Sequence, residues 1–332
     1  MGRYVVKRIL GAAVLLVAIS IIVFALIQLP PGDFLSTHIE QMKMEGTPLQ
    51  EAEIQNLTRE YHLDEPVPVQ YLMWVKNIVT KGSLGRSFTY GEQVTEVLAD
   101  RIAMTVFLSL LTIFFTWLIA FPTGVIAALR QYSWFDYLFS LIGFIGVSIP
   151  GFMLALVGVY VIFKTTGFAI NGLFSTRFLD QPMSLAKFGD LLGHIWFPVI
   201  VIGLHGTASL VRAVRGQVLD ELGKQYIVAA KARGVSGARL LFAYPIRVAV
   251  NPLISTIGWM LPAIISGESI VAVVLNLQTV GPVLLKSLQT QDMYLAGSIL
   301  LITGSLTLVG TLISDILLAL LDPRIRIGGN HR

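Results

Sequence analysis

The sequence predicts an all-α polytopic membrane protein with six transmembrane helices. Only 13% of its 332 residues are charged, whereas soluble domains usually carry about 25%. The apolar residues are also concentrated in six long runs, and a hydrocarbon core about 30 Å thick needs about 20 such residues in a helix. Because lipid offers the backbone no hydrogen-bond partners, each run is expected to be helical.

The six predicted spans differ in the polar side chains that they carry. The first three contain no charged residue, whereas the fourth carries His205, the fifth Glu268 and the sixth Asp315. The first run is longer than the apolar region of a signal peptide, about 7–15 residues, so we expect it to be retained. The spans are 9–29, 103–129, 137–163, 195–211, 252–275 and 295–321. Prolines at 122, 150 and 262 are expected either to interrupt three of them, as at a pathway or hinge, or to be tolerated kinks.

The distribution of positive charge predicts the orientation of these spans. Fourteen of the 24 Lys and Arg residues, but only four of the 20 acidic residues, fall in the N-terminus, the short loop 130–136, the loop 212–251 and the tail 322–332. Segments rich in Lys and Arg remain in the cytoplasm. Both termini and the loop 212–251 are therefore expected to be cytoplasmic, and the segment 30–102 to lie outside. Since topology accounts for the basic excess, nucleic acid is not an expected partner.

Several classes of function lack the residues that they need. The chain has no cysteine, which excludes disulfides and thiolate metal sites. The phosphate-binding pattern G-x-x-x-x-G-K-[ST] is absent, as are H-E-x-x-H and G-x-S-x-G, so no catalytic residue or metal site is predicted. An ion-coupled carrier would usually show more spans or an inverted repeat, and a channel has no evident use for a long basic loop.

The cytoplasmic loop 212–251 has the pattern of short helices. A glycine at position 234 is placed to end the first of them, a second helix is expected over 236–243, and Pro245 suits the first turn of the next. Leu222, Tyr226, Ala229 and Ala230 fall at i, i+4, i+7 and i+8, so they share one face of the first helix. This face, expected to be exposed, could dock into a groove of another protein or rest on anionic lipid headgroups. The candidate residues of the first helix, with their flanking cations, are Leu222, Tyr226, Ala229, Ala230, Lys231, Arg233 and Gly234.

The segment Ala229-Ala230-x-x-x-Gly234 resembles the coupling loop of binding-protein-dependent ABC permeases, although Val228 stands where that motif has glutamate. Other stretches resemble the first of two permeases in dipeptide and oligopeptide importers. They occur in the same order as in that branch and cover nearly the whole chain. These stretches are 31–33, 63–71, 82–88, 148–152 and 321–326.

The resemblance implies the type I ABC importer permease fold, with a cytoplasmic coupling helix between spans four and five. The implied partners are a second permease, two ATPase subunits that bind ATP and Mg²⁺, and a periplasmic solute-binding protein, all at a bacterial inner membrane. The implied cargo is a peptide, and the same branch also carries glutathione, murein peptides, peptide antibiotics and nickel. The chain itself would bind no cofactor.

Intramembrane acids are energetically expensive and therefore count as candidate functional groups. Glu268 is expected to line the translocation pathway or to form a structural hydrogen bond to a neighbouring helix. Pro150 and Gly151, at the break in span three, are expected to mark the pathway or a hinge, or to be a tolerated kink. Asp315 is expected to pair with an arginine at the inner rim such as Arg324, close to Asp322.

Overall fold

The computed structural model describes residues 2–27, 64–179, 181–235, 237–267 and 269–321, with isolated positions 39, 55 and 58. Within these ranges the regular structure is helical, apart from one isolated bridge between Arg86 and Gln93, which confirms the predicted all-α class. The α-helices are α1 Gly2–Ile27, α2 Val67–Lys81, α3 Val94–Leu129, α4 Trp134–Ser148, α5 Gly151–Thr166, α6 Leu185–Leu222, α7 Gln225–Ala232, α8 Gly237–Ala243, α9 Pro245–Gly267, α10 Ser269–Val274, α11 Val280–Gln289 and α12 Met293–Leu321.

Five helical segments in the described part of the chain are long and apolar enough to cross a membrane. A sixth is added when α4 and α5, which are bent by 101° at their junction, are counted as one span. The number agrees with the six spans that the apolar runs predict, although the segment Gly237–Gly258 begins before the predicted fifth span, 252–275. The five segments are Val5–Ala25, Val94–Leu129, Leu185–Leu222, Gly237–Gly258 and Met293–Leu320.

The three prolines expected to interrupt spans behave differently. The break at Pro150 is confirmed, because Ile149 before it is extended, with φ −94° and ψ 124°, as a residue that precedes proline prefers. At Pro122 and Pro262 the helices α3 and α9 continue, so of the two alternatives the structure has a tolerated proline rather than an interruption. A proline removes one helical hydrogen bond, and a transmembrane helix tolerates that loss where neighbouring groups satisfy the freed carbonyl.

The chain divides into two compact units, one built from 1–8, 106–278 and 307–332 and the other from 9–105 and 279–306. In the first unit α3, α6 and α9 enclose an apolar core. A Cβ at Gly124 would lie 2.8 Å from Cβ of Val214, so this glycine allows α3 to approach α6 closely. The buried core residues are Ala120, Val125, Ala128, Leu210, Val211, Val214, Val218, Ala249 and Leu253.

In the second unit a buried carboxylate fastens the loop that follows α2. Asp292 accepts hydrogen bonds from the Ser87 hydroxyl at 2.6 Å, the Thr89 N–H at 2.9 Å and the Leu295 N–H at 3.1 Å. Gly85 adopts φ +97°, and a Cβ there would lie 2.6 Å from Cδ1 of Tyr294. The segment 82–88, one of the stretches that carry the family resemblance, is therefore a loop held onto the start of α12.

Candidate coupling site

The two short helices between α6 and α9 form an elbow, residues 223–244, with its own small core. Ile227 and Ala230 of α7 and Leu240 of α8 are buried together, and Val235 and Tyr244 pack against them. Tyr244 also contacts Tyr226 of α7, with their ring centroids 5.8 Å apart. The elbow is thus a folded element rather than an extended connection.

The end of α7 is set by Gly234, as the sequence predicts. Gly234 adopts φ +82°, and its N–H donates to the Lys231 carbonyl at 2.9 Å while the Val235 N–H donates to the Ala230 carbonyl at 3.1 Å. This is the Schellman arrangement, which satisfies carbonyls that a helix end leaves without partners. The helix expected over 236–243 is α8, from Gly237, and Pro245 begins α9; Ser236 lies outside the described residues.

Two of the residues assigned to the exposed face of the first elbow helix lie elsewhere. Leu222 is the last residue of α6, and Gly223 and Lys224 separate it from α7. Ala230 is 2% exposed because it faces α8. The spacing i, i+4, i+8 assumes one continuous helix, and the break at Gly223 removes that assumption. The side chains that α7 does expose are those of Gln225, Tyr226, Val228, Ala229, Lys231 and Ala232, followed by Arg233.

A buried acid lies where α6 meets the elbow. Glu221 is 2% exposed; one carboxylate oxygen pairs with the Lys224 ammonium, and the other has no hydrogen-bond partner in the described structure. Lys224 also donates its N–H to the Glu221 carbonyl at 3.1 Å. These two contacts hold Lys224, the residue immediately before α7, against the last turn of α6.

A second acid, Asp136, pairs with Arg215 of α6 near the same end. Arg215 Nε lies 2.7 Å from Oδ1 and Nη2 lies 2.7 Å from Oδ2, which is the bidentate geometry of a strong charge-assisted pair. Sequence reasoning used both residues only as indicators of topology. The available signal was an acid directly before span three, but its partner lies 79 residues away in the sequence.

The remaining candidates lie apart from the elbow or outside the described residues. Asp315 pairs with Arg8 at 2.9 Å, an N-terminal cation rather than the expected Arg324. Gly151 begins α5 at the bend, and a Cβ there would lie 3.3 Å from Cγ2 of Val271 in α10. His205 is exposed on α6 and forms no hydrogen bond with any described residue. Nothing is described for Glu268, Asp322 and Arg324.

Comparison with known families decides what kind of protein has this helical architecture. Residues 120–327 match the family described as the inner membrane component of binding-protein-dependent transport systems. Residues 1–109 match the N-terminal region of the membrane component of such systems. The chain belongs to this family. An inner membrane component of a transport system is expected to cross the membrane, which agrees with the five or six candidate spans in the described residues.

Full-length relatives support the assignment. The chain is 31% identical over 326 residues to the oligopeptide transport system permease protein AppB of Bacillus subtilis, covering 98% of this chain and 99% of the relative. It is 30% identical over 328 residues to a Brucella suis protein named as a peptide permease, covering 98% of this chain and all of the relative. Both alignments include the elbow and the loop that follows α2.

Proposed function

We propose that this transport component is one of two membrane subunits of an ATP-driven peptide importer, and that its elbow docks onto an ATPase subunit. The peptide cargo is supported by the names of the relatives, which are peptide and oligopeptide permeases. The docking role is supported by the elbow itself, a folded pair of helices with a cationic surface. The other proposed partners are a second permease, a second ATPase and an external solute-binding protein.

The exposed surface of the elbow suits a protein groove. Ala229 is small and exposed on α7, so a partner can approach the helix backbone closely there, as in helix-in-groove recognition. Tyr226 and Phe242 are 42% and 69% exposed, and the elbow also exposes the cations Lys231 and Arg233. Aromatic residues and arginine are the types enriched at protein interfaces.

The length of α6 favours docking over a helix that rests on lipid. The helix has 38 residues, about 57 Å at 1.5 Å per residue, against a hydrocarbon core of about 30 Å. Leu222 lies eleven residues beyond Val211, where the fourth span is predicted to end, and eleven residues extend the helix by about 16 Å. The headgroups occupy about 5–7 Å on each side, so α7, which begins just after Leu222, would lie beyond them.

The proposed cycle follows from this arrangement. ATP and Mg²⁺ bind to the partner ATPases, whose closure displaces the elbow. Because α6 and α9 continue directly from the elbow, its displacement moves two membrane-crossing segments together. The two permeases then pass from an inward-facing to an outward-facing state, in which the binding protein releases the peptide. This cycle places both termini and the elbow in the cytoplasm.

The experiment uses the complex with its ATPases and binding protein, reconstituted in proteoliposomes. Ala229→Trp should block close approach and lower the number of peptides imported per ATP, by about fivefold or more if the coupling free energy is in the usual range. Ala186→Trp, at an exposed alanine near the other end of α6, is the matched control. Normal coupling in Ala229→Trp would argue that the elbow only rests on lipid, and ATP-independent uptake by the chain alone would refute the proposed function.

A further inference from the structure

We propose that the Asp136–Arg215 ion pair makes α4 move as one body with α6 when the elbow is displaced. The two residues would then be positioning residues for coupled transport. This inference rests on the proposed function, because it assumes that an ATPase moves the elbow. It assigns the pair a role beyond marking the cytoplasmic side of the membrane.

The loop before α4 is built around the Asp136 carboxylate. The Tyr132 N–H donates to Oδ2 at 3.0 Å, and Tyr132 adopts φ +63°, a region that non-glycine residues seldom occupy. The Asp136 N–H in turn donates to the Ser133 hydroxyl oxygen at 3.3 Å, which caps α4. The Asp136 side chain is 4% exposed and that of Arg215 is 25% exposed. A charge present only to orient the chain in the membrane would need none of this enclosure.

The position of Arg215 connects the pair to the elbow. Arg215 lies about two helical turns before Leu222, the last residue of α6, and only Gly223 and Lys224 separate that residue from α7. The Glu221–Lys224 pair bridges the same junction. A displacement of α7 therefore reaches Arg215 through one short, tied connection.

Beyond the ion pair and the contact of Arg212 with the Phe144 ring, α4 approaches α6 closely at two glycines. A Cβ at Gly143 would lie 3.8 Å from Cβ of Ala208, and one at Gly146 would lie 3.3 Å from Cγ of Leu204. Such close packing gains many small dispersion contacts, but a smooth glycine surface offers little resistance to sliding along the helix axis. The bidentate pair has a single favourable geometry, so it holds the axial register of the two helices.

The other end of α4 is the place where transmitted motion would matter. The helix ends at Ser148, and α5 begins at Gly151 after the 101° bend. Gly151 in turn faces Val271 of α10. If α4 follows α6, the bend and its candidate pathway residues move with the elbow; if α4 slips, the bend stays behind.

The test compares two variants of the pair with a control on the same helix. Asp136→Asn keeps the shape of the side chain and removes its charge. Arg215→Lys keeps the positive charge but removes the two parallel N–H donors that make the pair bidentate. Arg212→Lys is the control, because Arg212 is exposed and forms no ion pair with a described residue. Its guanidinium lies 5.6 Å from the Phe144 ring of α4, and a lysine can keep that cation–ring contact. In the reconstituted complex, both pair variants should lower peptides imported per ATP by about fivefold or more, and the control should not.

A distance measurement tests the mechanical claim without relying on activity. The chain has no cysteine, so spin labels can be attached at Tyr137→Cys on α4 and Ala213→Cys on α6, both of which are exposed. In the wild-type complex the label separation should stay constant when ATP is added. In Asp136→Asn the separation should change or its distribution should broaden on ATP addition.

Three outcomes overturn the inference. One is a wild-type number of peptides imported per ATP in Asp136→Asn. Another is a label separation that stays the same when ATP is added to that variant. The third is a lowered thermal stability of both pair variants with unchanged coupling, which would show a purely structural pair. A wild-type complex that hydrolyses ATP without importing peptide overturns the proposed function and this inference with it, whereas a coupled wild-type complex with equally well coupled pair variants overturns only the inference.

Discussion

Replacing Asp292 by asparagine should loosen the loop that follows α2 without changing its shape. The carboxylate is fully buried and accepts three hydrogen bonds, two at Oδ2 and one at Oδ1. An amide presents one acceptor and one donor in the same outline. The variant therefore changes hydrogen bonding at an almost constant volume.

The size of the effect follows from the three donors. If the amide oxygen takes the place of Oδ2, the new NH₂ group faces the Leu295 N–H; if it takes the place of Oδ1, the NH₂ group faces the Thr89 N–H. Either way one buried backbone donor loses its acceptor, which costs about 1–3 kcal/mol. That free energy corresponds to about a 5- to 150-fold change in the equilibrium between closed and open loop.

Hydrogen–deuterium exchange in lipid nanodiscs measures this equilibrium directly. The amides of Ser87, Gly91 and Val94 are hydrogen-bonded within the loop, and in Asp292→Asn they should exchange about 5- to 150-fold faster. Peptides from the elbow, in the other compact unit, should be unaffected. Asp100→Asn, an exposed acid in the same unit, gives the matched loss of charge.

One result would refute the reasoning. If the loop amides exchange at the wild-type rate in Asp292→Asn, the carboxylate does not hold the loop closed. Equal acceleration in Asp100→Asn would assign the effect to net charge rather than to the three hydrogen bonds.

Two further predictions concern stability. Gly85→Ala should lower the thermal denaturation midpoint. The backbone at φ +97° would be strained, and the new Cβ would lie 2.6 Å from the Tyr294 ring, an overpacking that costs about 1–3 kcal/mol. An unchanged midpoint would show that the loop adapts freely. Asp315→Asn and Arg8→Gln should each lower the free energy of unfolding only slightly, because the Arg8 side chain is 48% exposed. A double-mutant cycle should give the pair a coupling free energy of about 0.2–1 kcal/mol. A coupling of zero would mean that the pair contributes nothing.

Much of the fold could be predicted because the rules that produce it are local. The length of each apolar run, set against the thickness of the bilayer, predicts a membrane-crossing helix without reference to any other part of the chain. The extended residue before Pro150 and the left-handed glycine at the end of α7 follow from the backbone preferences of single residues. These features were confirmed for that reason.

The exposed face of the elbow could be predicted only in part. Periodicity placed Tyr226 and Ala229 on an exposed helix but assigned Leu222 and Ala230 to the same face. The first error came from a helix break that hydrophobic spacing does not register, and the second from burial against α8. Which face of a short helix is covered depends on where the chain turns next.

By itself, the sequence determined that this protein is a helical membrane component with a basic elbow between two spans. Only the tertiary structure decided which polar groups are joined, as in Asp136 with Arg215, 79 residues apart, and Ser87 with Asp292, 205 residues apart. Run lengths and backbone preferences are properties of neighbouring residues. A buried ion pair or carboxylate depends on partners that folding brings into contact, because a polar group shielded from water is stable only when such partners are present.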